Sequence, residues 1–161
     1  MQIPQHLIAM LVDATRNVFE TMVFRSVEAS APSAAPAGGS WPHRGPHVVA
    51  TVAFAGYRCG CVSIYSTLDG AREIAGGMLG LAPTAVNGQM ADAIGEIANM
   101  IAGTVRTRMA DQEPPWGIGV PTVTIGSDFS TTYVSSAAAR VVCPFAMGRE
   151  PIAVELILHG K

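Results

Sequence analysis

Apolar residues return every three or four positions along residues 87–109, NGQMADAIGEIANMIAGTVRTRM. Stepping about 100° per residue, Met90, Ile94, Ile97, Ile101 and Val105 fall on one stripe. Asp92, Glu96, Asn99, Gly103 and Arg106 fall on the opposite stripe, within roughly 80° of arc. The spacing predicts a helix of about six turns, with one face built to bury and the other to present. Asn87 is the candidate N-cap, because an Asn side chain can accept from first-turn amides that lack a helical partner. Asp92 and Glu96 lie early, where the helix dipole favours negative charge, and Arg106 and Arg108 lie late, where it favours positive. Asn and Gly are poor helix formers, so solubility alone does not account for Asn99 and Gly103 in mid-helix.

The same periods organise the rest of the chain. Residues 4–24 carry Leu7, Ile8, Leu11, Val12, Val18, Phe19, Met22 and Val23 at helical spacing, and a short strand over 24–29 follows. Residues 29–46, ASAPSAAPAGGSWPHRGP, have the composition of a flexible loop. Alternation predicts paired strands over 47–56 and 58–66 with a turn near Gly56-Tyr57. A helix starting at Thr67 or Asp69 ends near Gly80. Beyond the long helix and a polar turn over 111–116, residues 117–125 form a strand. Pro121 inside it cannot donate to a ladder, which demands an edge, a strand start or a bulge. Strands over 137–145 and 151–159, joined by a turn at 148–150, finish the chain. This order predicts an α+β fold, with long helices packed on a mainly antiparallel sheet of about six strands.

At 161 residues, a single domain spanning 1–161 is expected. A charged fraction of 14% and a net charge of −2 supply no footprint for nucleic acid. Apolar runs end before the roughly 18 residues that a membrane span needs, so no membrane insertion is expected. The first residues lack a basic leader and a cleavage signal, and the three cysteines have no framework spacing, which together predict a reduced, cytoplasmic chain. Cys59-Gly60-Cys61 lacks the second ligand pair of a structural zinc site, so buried free thiols are expected. His43 and His47 lack Cys or carboxylate neighbours for a metal, and no phosphate loop, nucleophile elbow or HExxH motif occurs. The best chemistry on offer is a carboxylate three residues from a carboxamide, Glu96 and Asn99. The same pair also reads as a solvated helix face with weak i,i+3 contacts.

Asp92-x-x-x-Glu96-x-x-Asn99, followed by Pro121 twenty-two positions after Asn99, resembles the signature of the CheC/CheX/FliY chemotaxis phosphatases. The string EIANMIAG and the downstream PTVTIG extend the match. Asn17-x-x-Glu20 on the first helix runs in the reverse order, so one motif is present and the chain is nearest the single-motif CheX branch. The resemblance implies the same α+β fold and a phosphorylated, CheY-like receiver domain as substrate. It implies that Asn99 orients the attacking water and that Glu96 pairs with the receiver's lysine. It assigns Mg²⁺ to the receiver and no cofactor to this chain. Asp92, Gly95, Gly103 and Arg106 would form the partner-binding surface, the glycines by letting another backbone approach. For Asp92, dipole compensation or capping is an equal alternative. Relatives of this branch pair as homodimers through sheet edges, which the strand content here permits. The rival function is a non-catalytic module that docks on a receiver or flagellar-switch component through the same helix face.

Overall fold

The computed structural model describes residues 3–33, 45–110, 114, 116–127 and 139–159. Three α-helices are formed: α1 (Gln5–Val18), α2 (Leu68–Leu79) and α3 (Met90–Met109). The strands are β1 (Glu28–Ala29), β2 (His47–Gly56), β3 (Gly60–Thr67), β4 (Trp116–Ile118), β5 (Thr122–Gly126), β6 (Ala139–Met147) and β7 (Glu150–Leu158). They make one antiparallel sheet in the order β1-β6-β7-β3-β2, with β4 and β5 both pairing the far side of β2. The expected helices-on-sheet architecture is the one observed, with seven strands.

Alternation gives the sheet its helix-facing side: Val48, Ala50, Val52 and Phe54 of β2 are all buried in the main core with Val62, Ile64 and the helices. α3 packs against α1, α2 and β2. Ile94, Ile97 and Ile101 of its apolar stripe are sealed from solvent. Ala98 and Ala102 are fully buried as well, small enough for neighbouring helices to come close. α1 runs on through a π-helical turn, Phe19–Val23, whose end touches α2 at backbone distance: a Cβ on Gly77 would lie 2.3 Å from the Val23 carbonyl oxygen. Thr67 caps α2, its hydroxyl accepting from the Gly70 N–H at 2.9 Å and donating to Glu150.

On the opposite side of the sheet, Glu155 is fully buried yet charged-paired: it accepts from the Tyr65 hydroxyl at 2.6 Å and meets the Arg140 guanidinium. Every residue of β7 from Ile152 to Leu158 is buried, so both faces of this strand are covered.

Several expected boundaries change. α3 begins at Met90, not Asn87: Asn87 is exposed, its carbonyl accepts from the Met90 N–H in a turn, and Gln89 occupies the N-cap without a side-chain bond. The strand expected over 24–29 shrinks to two residues, because Phe24 ends the helical segment in the left-handed region at φ 57°. The start of the expected loop is instead tied to β6, through Ser30 N–H to Pro144 O and reciprocal bonds between Ser33 and Val142; residues 34–44 lie outside the described residues. The strand expected over 117–125 is two strands. Ile118 faces Phe54 and Thr122 faces Thr51, so three residues oppose two and a bulge containing Pro121 separates β4 from β5. Of the thiols, Cys61 and Cys143 are buried, and burial pushes Cys143 up to about 11. Cys59 precedes β3 and is exposed, against the expectation for it.

Candidate functional site

The outward stripe of α3 carries Asp92, Glu96 and Arg106 fully at the surface, with Asn99 and Gly103 half-buried between them. Rigidity comes from behind: the opposite face of the helix is locked into the core, so these side chains stand on a fixed platform. Neither Glu96 nor Asn99 has a hydrogen-bond or ion-pair partner among the described residues. The weak i,i+3 contact that would make them an ordinary solvated pair is therefore not formed. Nor does Asp92 accept a capping bond; it sits in the first turn of α3, where the dipole accommodates its charge.

Pro121 has a specific place in this arrangement. A Cβ on Gly95 would lie 3.4 Å from Pro121 Cγ and 3.4 Å from Val123 Cγ2, so the ring packs on the helix one residue before Glu96. The bulge gives the proline a position that needs no N–H, while the Gly119 N–H bonds Ala53 O at 2.8 Å and keeps the edge attached. The proline thus packs the edge strand against α3 beside the outward stripe. Gly95, expected on the partner-binding surface, is itself buried, and a Cβ there would be in van der Waals contact with this chain's own Pro121 and Val123. Gly103 differs, since a Cβ there meets nothing within 4 Å.

Beyond Asn99 the surface falls into an open hollow of about 580 Å³ lined by Asn99, Met100, Gly103, Thr104, Arg106 and Ile118, among others. Met100, Thr104 and Ile118 carried no sequence signal for this role. Ile118 reaches the helix only through the long-range pairing of β4 with β2. At the end of the helix Arg108 comes within 4.0 Å of Asp13 on α1, whereas Arg106 has no acidic partner among the described residues. No group of three or more His, Cys, Asp or Glu able to hold a metal occurs among the described residues. No described helix is long and apolar enough to cross a membrane.

A family model described as chemotaxis phosphatase CheX matches residues 48–146, a span that includes the α3 stripe and Pro121. The chain belongs to the CheX family. Its fold is also that of solved CheX-like structures. A CheC-like superfamily protein from Shewanella sp. PV-4 superposes with a TM-score of 0.84 at 21% identity, covering 98% of this chain and 100% of that one. Chemotaxis protein CheX from Vibrio vulnificus gives 0.82 at 22% identity, with 96% and 99% covered. A chain of the CheX–CheY–BeF3–Mg²⁺ complex from Borrelia burgdorferi gives 0.73 at 18% identity, with 95% and 97% covered. No curated protein matches the chain. CheX is a family of chemotaxis phosphatases.

Proposed function

We propose that this chain accelerates hydrolysis of the aspartyl phosphate of a CheY-like receiver domain. The observation that carries the proposal is the pair Glu96 and Asn99: outward on a rigid helix, engaged with nothing else in the described chain, and backed by Pro121 against Gly95. Hydrolysing an acyl phosphate needs little covalent help from a protein; it needs a water held in line and charge neutralised around the phosphoryl group. The Asn99 carboxamide both accepts and donates, so it orients one water without placing a full negative charge beside the phosphoryl oxygens. Glu96, about one turn earlier, pairs with the receiver's lysine and sets the register of the two proteins. The Mg²⁺ is supplied by the receiver. A relative of the same fold solved together with CheY, BeF3 and Mg²⁺ supports this choice of partner. Receivers of this kind place the activity in the cytoplasm.

The test follows the decay of a phosphorylated CheY-type receiver with and without the wild-type chain. Faster decay that disappears with Asn99→Ala supports the proposal. A wild-type chain that binds the BeF3-loaded receiver but leaves the phosphate lifetime unchanged is a docking module instead.

A further inference from the structure

Asn87 and Gly88 form a reactive pair outside the outward stripe of α3. Of the chain's three asparagines, Asn87 alone precedes a glycine; Asn17 precedes Val18 and Asn99 precedes Met100. Asn17 and Asn99 lie within α1 and α3, where the N–H of the following residue points back along the helix to a carbonyl. Asn87 and Gly88 instead stand before α3, which starts at Met90 behind its N-cap Gln89. Both are exposed, in a turn anchored by the buried side chains of Val86 and Met90. The Met90 N–H closes that turn by donating to the Asn87 carbonyl at 3.4 Å.

This placement supplies every part of a self-contained reaction. The backbone nitrogen that follows an asparagine can attack the carboxamide carbon, provided the chain between them rotates freely. A side chain on the following residue obstructs that rotation, and glycine removes the obstruction. Solvent base takes the proton of the Gly88 nitrogen. The nitrogen then bonds to Asn87 Cγ while the Cγ–Nδ2 bond breaks, and Nδ2 leaves as ammonia with a proton from water. The product is a cyclic imide, which water opens at either of its carbonyls. Opening at Cγ leaves an ordinary aspartate; opening at the main-chain carbonyl leaves isoaspartate, with the chain routed through Cγ. No oxidant or cofactor enters, and an exposed turn gives water and base their access. The related pair Asp69-Gly70 is held differently: Gly70 is buried in α2, and its N–H donates to the Thr67 hydroxyl at 2.9 Å.

We propose that Asn87-Gly88 is a self-modification site of the folded protein, where Asn87 deamidates through the Gly88 nitrogen to aspartate and isoaspartate at the entry of α3. The two products act on that helix in opposite directions. An aspartate at position 87 brings a carboxylate to the positive end of the helix dipole. Isoaspartate adds a methylene to the main chain, displaces the carbonyl that holds the Met90 N–H and loosens the first turn. Asp92 lies in that first turn, so the change is felt at the acidic end of the helix.

The test incubates the full, folded chain at neutral and at mildly alkaline pH, then digests it and maps the peptides by mass spectrometry. Isoaspartate is scored with an isoaspartyl methyltransferase. Wild type is compared with Gly88→Ala, with Asn87→Asp and with wild type held in urea. The peptide carrying Asn87 is expected to gain the mass difference between an amide and an acid and to split into two isomers. The conversion should run faster at alkaline pH, while Asn17 and Asn99 keep their amides. Gly88→Ala should slow it on the order of tenfold, because a Cβ restricts the rotation that ring closure needs. Asn87→Asp should melt at or above the wild-type temperature, and the isoaspartate fraction, separated by ion exchange, should melt below it. An Asn87 amide that survives in the folded chain and is lost only in urea would overturn the proposal. So would equal deamidation at Asn17 or Asn99, or a Gly88→Ala chain that converts as fast as wild type. A melting temperature for Asn87→Asp below that of wild type would overturn the opposed action of the two products.

Discussion

Ile97 and Glu96 are adjacent in sequence on one helix, yet Ile97 is sealed from solvent while Glu96 is exposed and without a partner among the described residues. The buried side of α3 is constrained by close packing: Ile94, Ile97 and Ile101 touch α1, α2 and β2, and a change there is felt by all of them. The outward side has no such obligations. Asn99 and Gly103 stand there although both are poor helix formers. On the proposed function, a single helix separates what the fold requires from what the receiver requires, nearly residue by residue.

Five substitutions break or sharpen that separation. The largest effect is expected from Ile97→Asp, which buries an unpaired charge at a cost of several kcal/mol, comparable with the whole stability of a domain. The variant should be unfolded by circular dichroism; a cooperative melt near that of wild type would mean the two faces are inverted. Asn99→Ala should keep the wild-type melt and lose on the order of 10²-fold in receiver dephosphorylation at saturation, the usual loss when one positioning group is removed. Affinity for the BeF3-loaded receiver should barely change, since the carboxamide acts on the transition state.

Gly95→Leu lies on the boundary between the two faces. It forces a side chain into the space of Pro121 and Val123 and should cost about 1–3 kcal/mol by overpacking. Denaturant melts measure this directly, and a stability equal to wild type would show that Pro121 does not press on the helix. Gly103→Leu, eight residues on, is expected to cost no stability, so the two glycines give a direct internal contrast. The smallest effect is expected from Glu96→Ala, which removes an exposed charge that acts in the bound complex. Receiver affinity should fall by about 1 kcal/mol or less at low salt and recover toward wild type as salt screens the pair over about 8–10 Å. A loss that is independent of salt would rule out the ion pair with the receiver's lysine.

Much of this was legible before any coordinates. The α3 stripes follow from a 3.6-residue period, and the inward set of β2 from a two-residue one, because local periodicity is what burial on one face imposes on sequence. The prohibition on Pro121 in a central ladder left an edge, a strand start or a bulge, and a bulge is what forms, since a missing N–H is a local chemical fact. What failed was set by distant partners. Asn87 has the side chain of a cap, but Gly88 and Gln89 form a turn first, and nothing local distinguishes the two outcomes. Gly95 lies at the edge of the presented arc on a helical wheel, and only the pairing of β5 with β2 brings Pro121 over it. The hollow beside Asn99 was illegible for the same reason: Ile118, in its lining, comes from another element. Phe24 gave no warning of its left-handed backbone, an unusual conformation for a bulky side chain.

The buried Glu155 bears on how the sheet finds its own alignment. Alternation of polar and apolar residues normally tells a strand which way to face, but in β7 the run from Ile152 to Leu158 is covered on both sides and is otherwise entirely apolar. Sliding such a strand by one position against β3 or β6 would exchange one set of aliphatic side chains for another at modest cost. Glu155 removes that degeneracy. In the native alignment its carboxylate reaches Tyr65 and Arg140; displaced by one residue, it would point into the apolar core under the helices. One acidic residue in the middle of a greasy strand acts as a keyed pin, making the misaligned sheet self-rejecting during assembly.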